Sequence, residues 1–218
     1  MQKNRSNNFI VALQNYITAS TVITAGAIYK NQQVVFEKAI AALPDFLLSA
    51  YQHFEVKYPK FYKMDNLGKL GWLAAEIMLR DSGIADRYQP YDVGVVFSNA
   101  NSSLDTDLKY YESTKDIASP ALFVYTLPNI VIGEICIRHH FKGENSFFIF
   151  DRFDASFIEQ NVNGLLNNNT LQACICGWVE VIGEQYKAVL YLVEKTGDNN
   201  QVPFDEENIL KIYQLENG

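Results

Sequence analysis

Few side chains in this sequence are able to do covalent or acid–base chemistry. They are three cysteines (Cys136, Cys174, Cys176), three histidines (His53, His139, His140) and a compact charged run, Asp151-Arg152-Phe153-Asp154. A thiolate serves as nucleophile or metal ligand, an imidazole as a base near neutral pH, and a carboxylate as a base or a helix cap. Cys174 and Cys176 stand two apart in a β-branched run, so on a strand they share one face. A Cys-x-Cys pair with no matching second pair is a poor metal signal, and buried cysteine as a small hydrophobe is the simpler reading. Cys136 lies inside an apolar run and reads the same way. His139-His140 closes that run, where a helix C-terminus favours an imidazolium without any catalysis. His53, in a tyrosine-rich segment, carries no signal. These residues call for no metal and no cofactor.

The elements that would position them follow from periodicity and punctuation. Residues 1–14 are polar and Asn-rich and read as a loose arm. Tyr16-Ile17-Thr18 reads as a short strand leading into a bend, and Gln33 to Leu43 as a helix closed by Pro44. Asp65-Asn66 caps the clearest helix, which carries Leu67, Leu70, Leu73, Ala74, Ile77 and Met78 on one face and ends at Gly83. Asp92 to Phe97 is a buried strand, and the polar loop Ser98 to Ser103 leaves its C-terminal end, where α/β sheets face their ligands. The apolar run Leu127 to Phe141 fits a strand or a buried helix equally by periodicity. Phe147 to Phe150 is a strand, apolar on both faces and therefore expected to be central or at an interface. Ala155 to Leu166 is a helix with Asp154 as its natural cap. Leu171 to Ile182 and Lys187 to Val193 form a hairpin around Gly183-Glu184-Gln185, and Pro203 to Leu215 is a short terminal helix.

Composition narrows the functional classes. The 218 residues are 48% hydrophobic and 20% charged, which excludes disorder and low-complexity arrays and leaves enough chain for a sizeable core. Eighteen basic and twenty-five acidic side chains give a net charge of -7, which repels nucleic acid and anionic membrane. The uncharged stretch Phe9 to Tyr29 is interrupted by Gln14, Asn15, Thr18, Ser20, Thr21 and Thr24, so it reads neither as a secretory signal nor as a membrane span. Three cysteines without disulfide spacing suit a reducing compartment, and the expected location is the cytoplasm.

Several motifs, in order, resemble the N-terminal half of β-ketoacyl synthases. Tyr16-Ile17-Thr18 resembles the opening strand. Lys63-Met64-Asp65-Asn66-Leu67-Gly68-Lys69-Leu70, continuing through Leu73-Ala74-Ala75-Glu76 to Ser82-Gly83-Ile84, is similar to the first long helix and its glycine exit, and is the most specific block. Val93 to Ser98 resembles the next strand. Ser119-Pro120-Ala121-Leu122-Phe123 with Thr126-Leu127-Pro128-Asn129, then Gly133-Glu134-Ile135 and Lys142-Gly143-Glu144-Asn145, are similar to the stretch that enters the helix before the catalytic strand. The nearest resemblance is to the short ketosynthase-like proteins of bacterial aryl-polyene and flexirubin-type pigment clusters. The resemblance covers about residues 15–195 and implies a helix at 128–140. It also implies an α/β, thiolase-like half of the order strand-helix-strand-helix-strand-helix-strand-strand, with a mixed, mainly parallel sheet covered by helices, the first strands parallel and the closing pair the only hairpin. Residues 196–218 would be a C-terminal tail with a short helix.

The sequence departs from the pattern where chemistry is expected. Ketosynthases carry a nucleophilic cysteine just after the strand that follows Gly143, at a helix N-terminus that stabilises the thiolate and the oxyanion. Here that place reads Phe150-Asp151-Arg152-Phe153-Asp154, with Asp151 and Arg152 at the nucleophile's position. An arginine or an aspartate there cannot hold an acyl group as a thioester, and a buried Asp–Arg bridge is one way to fill the emptied pocket. The resemblance further implies that the histidine-bearing C-terminal half of the family is missing, so an apolar face needs a cover. The expectation is a non-catalytic subunit, forming a homodimer or a heteromer with an active synthase, with the acyl carrier protein as another partner. Phe147, Phe148, Ile149, Phe150 and Phe153 are the candidate partner contacts. The alternative is an acyltransferase or ketosynthase that uses another nucleophile or is completed by a partner chain.

Overall fold

A computed structural model describes residues 14–39, 42–195 and 202–215. The expected N-terminal arm lies, apart from Gln14, outside the described residues. One eight-stranded mixed sheet runs through the molecule in the order β3-β2-β1-β7-β6-β4-β5, with β8 beside β1. Its strands are β1 (Tyr16–Thr24), β2 (Ala27–Lys30), β3 (Gln33–Glu37), β4 (Val93–Asn99), β5 (Asn145–Ile149), β6 (Ala173–Ile182), β7 (Gln185–Glu194) and β8 (Val202–Pro203). Eight α-helices accompany them among the described residues: α1 (Leu43–His53), α2 (Asn66–Leu79), α3 (Ile84–Arg87), α4 (Leu104–Ser113), α5 (Pro120–Val124), α6 (Ile130–His139), α7 (Ala155–Asn167) and α8 (Glu206–Tyr213). No helix among them is long and apolar enough to cross a membrane.

The strands at the centre are apolar on both faces because both faces are covered. On one face, Ile175, Val179, Leu190 and Leu192 meet α1, α2 and α6 through Phe46, Leu70, Leu73 and Ile135. On the other face, Cys174, Cys176, Trp178 and Tyr191 meet α7 and α8 through Ile158, Val162, Ile209 and Ile212. The terminal segment is therefore part of the second core: Phe204 is buried there, and the Tyr191 hydroxyl donates to the Ile209 carbonyl at 2.8 Å. The two caps read from the sequence form as expected: Asp65 accepts from the Gly68 amide at 2.8 Å and Asp154 from the Phe157 amide at 2.8 Å. Asp205 caps α8 as well, accepting from the Asn208 amide at 2.9 Å. The run at 127–141 is helical, as the resemblance implies, over Ile130–His139.

Two expectations are corrected. The helix expected over Gln33 to Leu43 is instead strand β3 followed by the start of α1, with Pro44 in the first turn of that helix. Val34, Val35 and Phe36 are β-formers, and proline at a helix start loses no hydrogen bond. The first strands are not parallel either. Turns of two residues, at Ala25-Gly26 and Asn31-Gln32, join β1, β2 and β3, too short for a crossover, so these strands form an antiparallel meander. The parallel pairs are β4 with β5 and β4 with β6, and β6-β7 is one of several hairpins. The mixed sheet is thus antiparallel over most of its width and parallel where the strand–helix junction lies.

Candidate functional site

Strand β5 enters the sheet beside β4 because two glycines remove side chains between them. A Cβ at Gly94 would lie 2.4 Å from the Glu144 carbonyl oxygen and from Leu171, and one at Gly143 would lie 2.5 Å from the Val93 carbonyl oxygen. The pairing is regular from Val95↔Asn145 to Asn99↔Ile149, and the Phe150 amide then donates to the Asn99 carbonyl at 3.0 Å. The chain leaves the sheet here and turns into α7. Residues 150–154 thus link the end of a strand to a helix N-terminus, the place where the resemblance expects a nucleophile.

The side chains at that turn do something else. Asp151 and Arg152 are both exposed, and neither is paired among the described residues, so the buried Asp–Arg bridge does not form. Asp154 is used as the α7 cap. Phe153 points inward: it is buried, stacks on Tyr213 at 4.4 Å and meets Trp178 edge-on at 5.8 Å. It is therefore spent inside the chain and drops out as a partner contact. A cleft of about 500 Å³ lies on one side of the turn, between Asp151–Asp154 and Glu206 and Leu210 of α8. A second, of about 360 Å³, lies on the other side, floored by Phe153, Trp178 and Tyr213 and rimmed by Arg152, Glu180 and Lys187.

The loop after β4 is held by a residue the sequence reading missed. Glu180 accepts from the Ala100 amide at 2.6 Å, the Asn101 amide at 3.2 Å and the Asn101 side-chain amide at 3.2 Å. Its position on a predicted strand was visible, but its partners lie some eighty residues upstream. Asp65 is similar: its capping role was legible, whereas the hydrogen bond it accepts from Thr106 at 2.6 Å was not.

The remaining candidates are structural. Cys174 and Cys176 are wholly buried, and burial pushes both thiols far up from their ordinary range. Cys136 is pushed up to about 11 by burial. None of the three supplies a thiolate near neutral pH. His140 takes the left-handed conformation that ends α6, at φ 61, and His139 pairs with Glu76 at 3.2 Å. Burial disfavours the Glu76 carboxylate, but His139 beside it and the hydrogen bonds and charge of Arg138 outweigh that and hold the carboxyl down at about 2. His53 packs its ring on Phe36 at 4.9 Å. Among the described residues no group of three or more His, Cys, Asp or Glu is placed to hold a metal ion.

The other four candidate contacts sit on an edge. Strand β5 is the last strand of the sheet, not a central one. Phe147 packs toward the α1/α2/α6 core and Phe148 toward the α7/α8 core, where Phe157 meets Phe148 and Phe150 edge-on at 4.8 Å each. Ile149 is 48% exposed. The strand carries no bulge, no proline and no charged residue, so its outer backbone groups form an unprotected pairing edge.

No family model and no curated protein matches the sequence. Solved structures do match. The fold is similar to the ishigamide ketosynthase/chain length factor, at TM-score 0.62 and 15% identity over 87% of this chain and 64% of that chain. It is similar to the ketosynthase ApeO in complex with its chain length factor ApeC from Xenorhabdus doucetiae, at TM-score 0.53 and 13% identity over 86% of this chain and 81% of that chain. It is also similar to a β-ketoacyl synthase from Burkholderia phymatum, at TM-score 0.59 and 11% identity over 84% of this chain and 59% of that chain. The match thus spans less than two thirds of the ishigamide and Burkholderia chains. At these identities the likeness is one of fold: the chain has a thiolase-like, ketosynthase-type α/β fold.

Proposed function

We propose that this chain is a non-catalytic ketosynthase-like subunit that pairs with an active β-ketoacyl synthase in type II fatty-acid or polyene biosynthesis. One observation carries the reading. The resemblance expects the nucleophile where β5 leads into α7, and at that junction the side chains are the exposed Asp151 and Arg152, with no cysteine among residues 150–154. A guanidinium is a permanent cation with no lone pair to attack a thioester. Cys174 and Cys176 are buried in β6 and Cys136 is half-buried on α6, and in each case burial raises the thiol's pKa and keeps it protonated. A subunit of this kind acts by shaping the partner's pocket or by helping to present the acyl carrier protein.

The open edge of β5 supports the pairing half of the reading, since an unprotected edge with an exposed isoleucine is stabilised by a second strand. The structural neighbours fit it too, because two of those described are ketosynthase and chain length factor systems. The test is co-expression with an active β-ketoacyl synthase from the same gene cluster, followed by light scattering and by intact-mass measurement after incubation with acyl carrier protein thioesters. The expected result is a stoichiometric heteromer with the acyl group on the synthase alone. A stoichiometric acyl adduct on this chain would show an enzyme with a non-standard nucleophile and overturn the reading, as would monomeric behaviour of this chain both alone and with the synthase.

A further inference from the structure

The end of the sheet opposite the β5–α7 junction holds a cleft of about 490 Å³. Strand β7 ends there at Glu194, which pairs with Ala173, and Ala173 pairs with Val93 at the start of β4, whereas the junction lies beyond the other end of β4. The walls come from the start of β1, Lys30 and Asn31 at the end of β2, Arg80 to Ser82 after α2, and Arg87 of α3. The buried Ala19, Met78 and Leu192 make an apolar floor. Glu194 is 1% exposed, yet it is a carboxylate on a strand. It accepts from Arg87 Nη1 at 2.5 Å and Nη2 at 3.3 Å, from the Tyr88 hydroxyl at 2.7 Å and from the Thr18 hydroxyl. This fork fixes the Arg87 guanidinium in the wall, while the arginine side chain stays 46% exposed.

The lining offers more donors than Glu194 uses. Lys30 donates to the Arg80 carbonyl at 2.6 Å, which caps the end of α2, and an ammonium has further N–H groups to give. The Asn31 side-chain oxygen accepts from the Ser20 amide at 2.9 Å, which leaves its NH2 group, and the Ser82 hydroxyl accepts from the Ile84 amide at 3.3 Å, which leaves its proton. With the Arg87 N–H groups given neither to Glu194 nor to the Ser82 carbonyl, about seven donors remain among the described residues of the lining. Facing them is the Asp81 carboxylate, whose charge acts on Lys30. The Arg80 guanidinium turns away, onto the Phe54 carbonyl and ring, and contributes charge alone. Lys30, Arg80 and Arg87 against Asp81 and Glu194 leave the cleft cationic on a chain of net charge -7. Burial also lowers the Lys30 pKa, the mark of a charge that an anion would stabilise. Asn31 and Asp81 both take the left-handed conformation, at φ 50° and 66°, a backbone cost that recurs in binding loops.

We propose that this cleft binds a small phosphate monoester, with the phosphoryl group on Arg87, Lys30, Asn31 and Ser82 and the carbon skeleton on the apolar floor. The donor count separates the candidate anions. A carboxylate has two oxygens and about four lone-pair sites, too few for the donors present, whereas a phosphoryl group brings three terminal oxygens and a charge of about -1.5 to -2 at pH 7. A guanidinium held by a buried carboxylate is also preorganised, so little of its side-chain freedom is lost when the anion arrives. The volume separates an ester from a bare ion: about 490 Å³ lies in the range of sites for small organic ligands, and the floor has no use for inorganic phosphate. The cleft lies away from the β5 edge and the β5–α7 junction, so the proposal does not depend on pairing with a synthase.

The test is an amide-shift titration of the full nitrogen-labelled chain with glycerol 3-phosphate at constant ionic strength, with inorganic phosphate, acetate and glycerol as comparison ligands. Saturable shifts are expected at the amides of Thr18, Asn31, Ser82 and Arg87, with a Kd about tenfold or more below those for inorganic phosphate and acetate, and no shifts from glycerol. Lys30→Gln should raise that Kd about tenfold, the scale of one hydrogen bond to a charged group. Arg87→Gln should raise it further. Because that variant strands Glu194 in the interior, Arg87→Gln with Glu194→Gln gives the same reading on a chain with no buried charge left unpaired. Lys115→Gln, beyond α4 at the other end of the sheet, removes the same charge and should leave the Kd within about twofold. The proposal is overturned by shifts that do not saturate by about 20 mM ester, by shifts that map to other residues, or by binding of Lys30→Gln and the double variant within about twofold of the unmutated chain. Acetate or inorganic phosphate binding as tightly as the ester would overturn it too, the first by removing the phosphoryl group from the recognition and the second by removing the floor.

Discussion

The two edges of the sheet are built in opposite ways. Strand β3 pairs with β2 through a register shift between Ile28 and Tyr29, ends in Glu37 with Lys38 beyond it, and hangs on a two-residue turn whose Asn31 and Gln32 both have positive φ, at 50° and 66°. Bulge, charge and twist are the devices that keep an edge from pairing. Within Asn145–Ile149, strand β5 has none of them. It is parallel, regular and aromatic on both faces. The contrast argues that β5 is left open for use. A protein that blunts one edge has the means to blunt the other.

The largest way to break the comparison is to unseat β5. Gly94→Ala places a methyl 2.4 Å from both the Glu144 carbonyl oxygen and the Leu171 side chain, and the backbone oxygen cannot rotate away. Strand β5 or the β4 backbone must shift, at a cost of about 3 kcal/mol or more, the upper range for overpacking. Urea unfolding should show that loss together with failure to bind the synthase. Retention of both within error would mean that β5 tolerates displacement and that its regular pairing is not what shapes the edge.

A smaller effect separates the flanks by pH. Glu76 on α2 holds α6 through Arg138, at 2.8 Å, and through His139, and α6 leads directly into β5. Its folded pKa, about 2, lies below the ordinary value of 4.5, so the contribution is complete above pH 4.5 and is lost as pH falls from there toward 2. Glu76→Gln should lower stability at pH 7 by about 2 kcal/mol, allowing for the partial exposure of Arg138, and should flatten the acid limb of the stability curve. Hydrogen exchange at pH 3.5 should show α6 and β5 opening before β2 and β3. Simultaneous opening of both edges would mean that the ion pair stabilises the whole sheet.

How far the sequence discloses this contrast depends on where each element gets its stability. Helices α2 and α7 were legible because their caps, Asp65 and Asp154, are local, and the β6–β7 hairpin because its strands are long and apolar. The passage from strand to helix at 150–155 was legible by order and spacing. Strand β3 was not, because its turn lacks glycine: Asn31 and Gln32 take positive φ without the usual signal, and Val34, Val35, Ala39 and Ile40 mimic helical spacing. The meander topology was missed for the same reason. Leu104, Leu108 and Tyr111 of α4 recur at helical spacing in the sequence, but periodicity does not say which face is inward. Asp105 and Thr106 decide that through partners some eighty and forty residues away.

The smallest predicted effect is the most specific check on the contrast. Val34 on β3 is 49% exposed, as exposed as Ile149 on β5 at 48%, so a rule based on exposed hydrophobics alone would treat the two alike. The edge architecture says otherwise. Val34→Lys adds a charge to an edge already bulged and flanked by Glu37 and Lys38, and its side chain reaches water without displacing a core residue. Stability should change by no more than about 0.5 kcal/mol, the usual range for a surface substitution, and synthase affinity should be unaltered. Ile149→Lys should be equally mild in urea unfolding of the free chain yet weaken the complex about tenfold or more, because the same charge would then be desolvated at an interface. Equal losses of affinity from the two variants would remove the distinction between the edges and point to general hydrophobic association in its place.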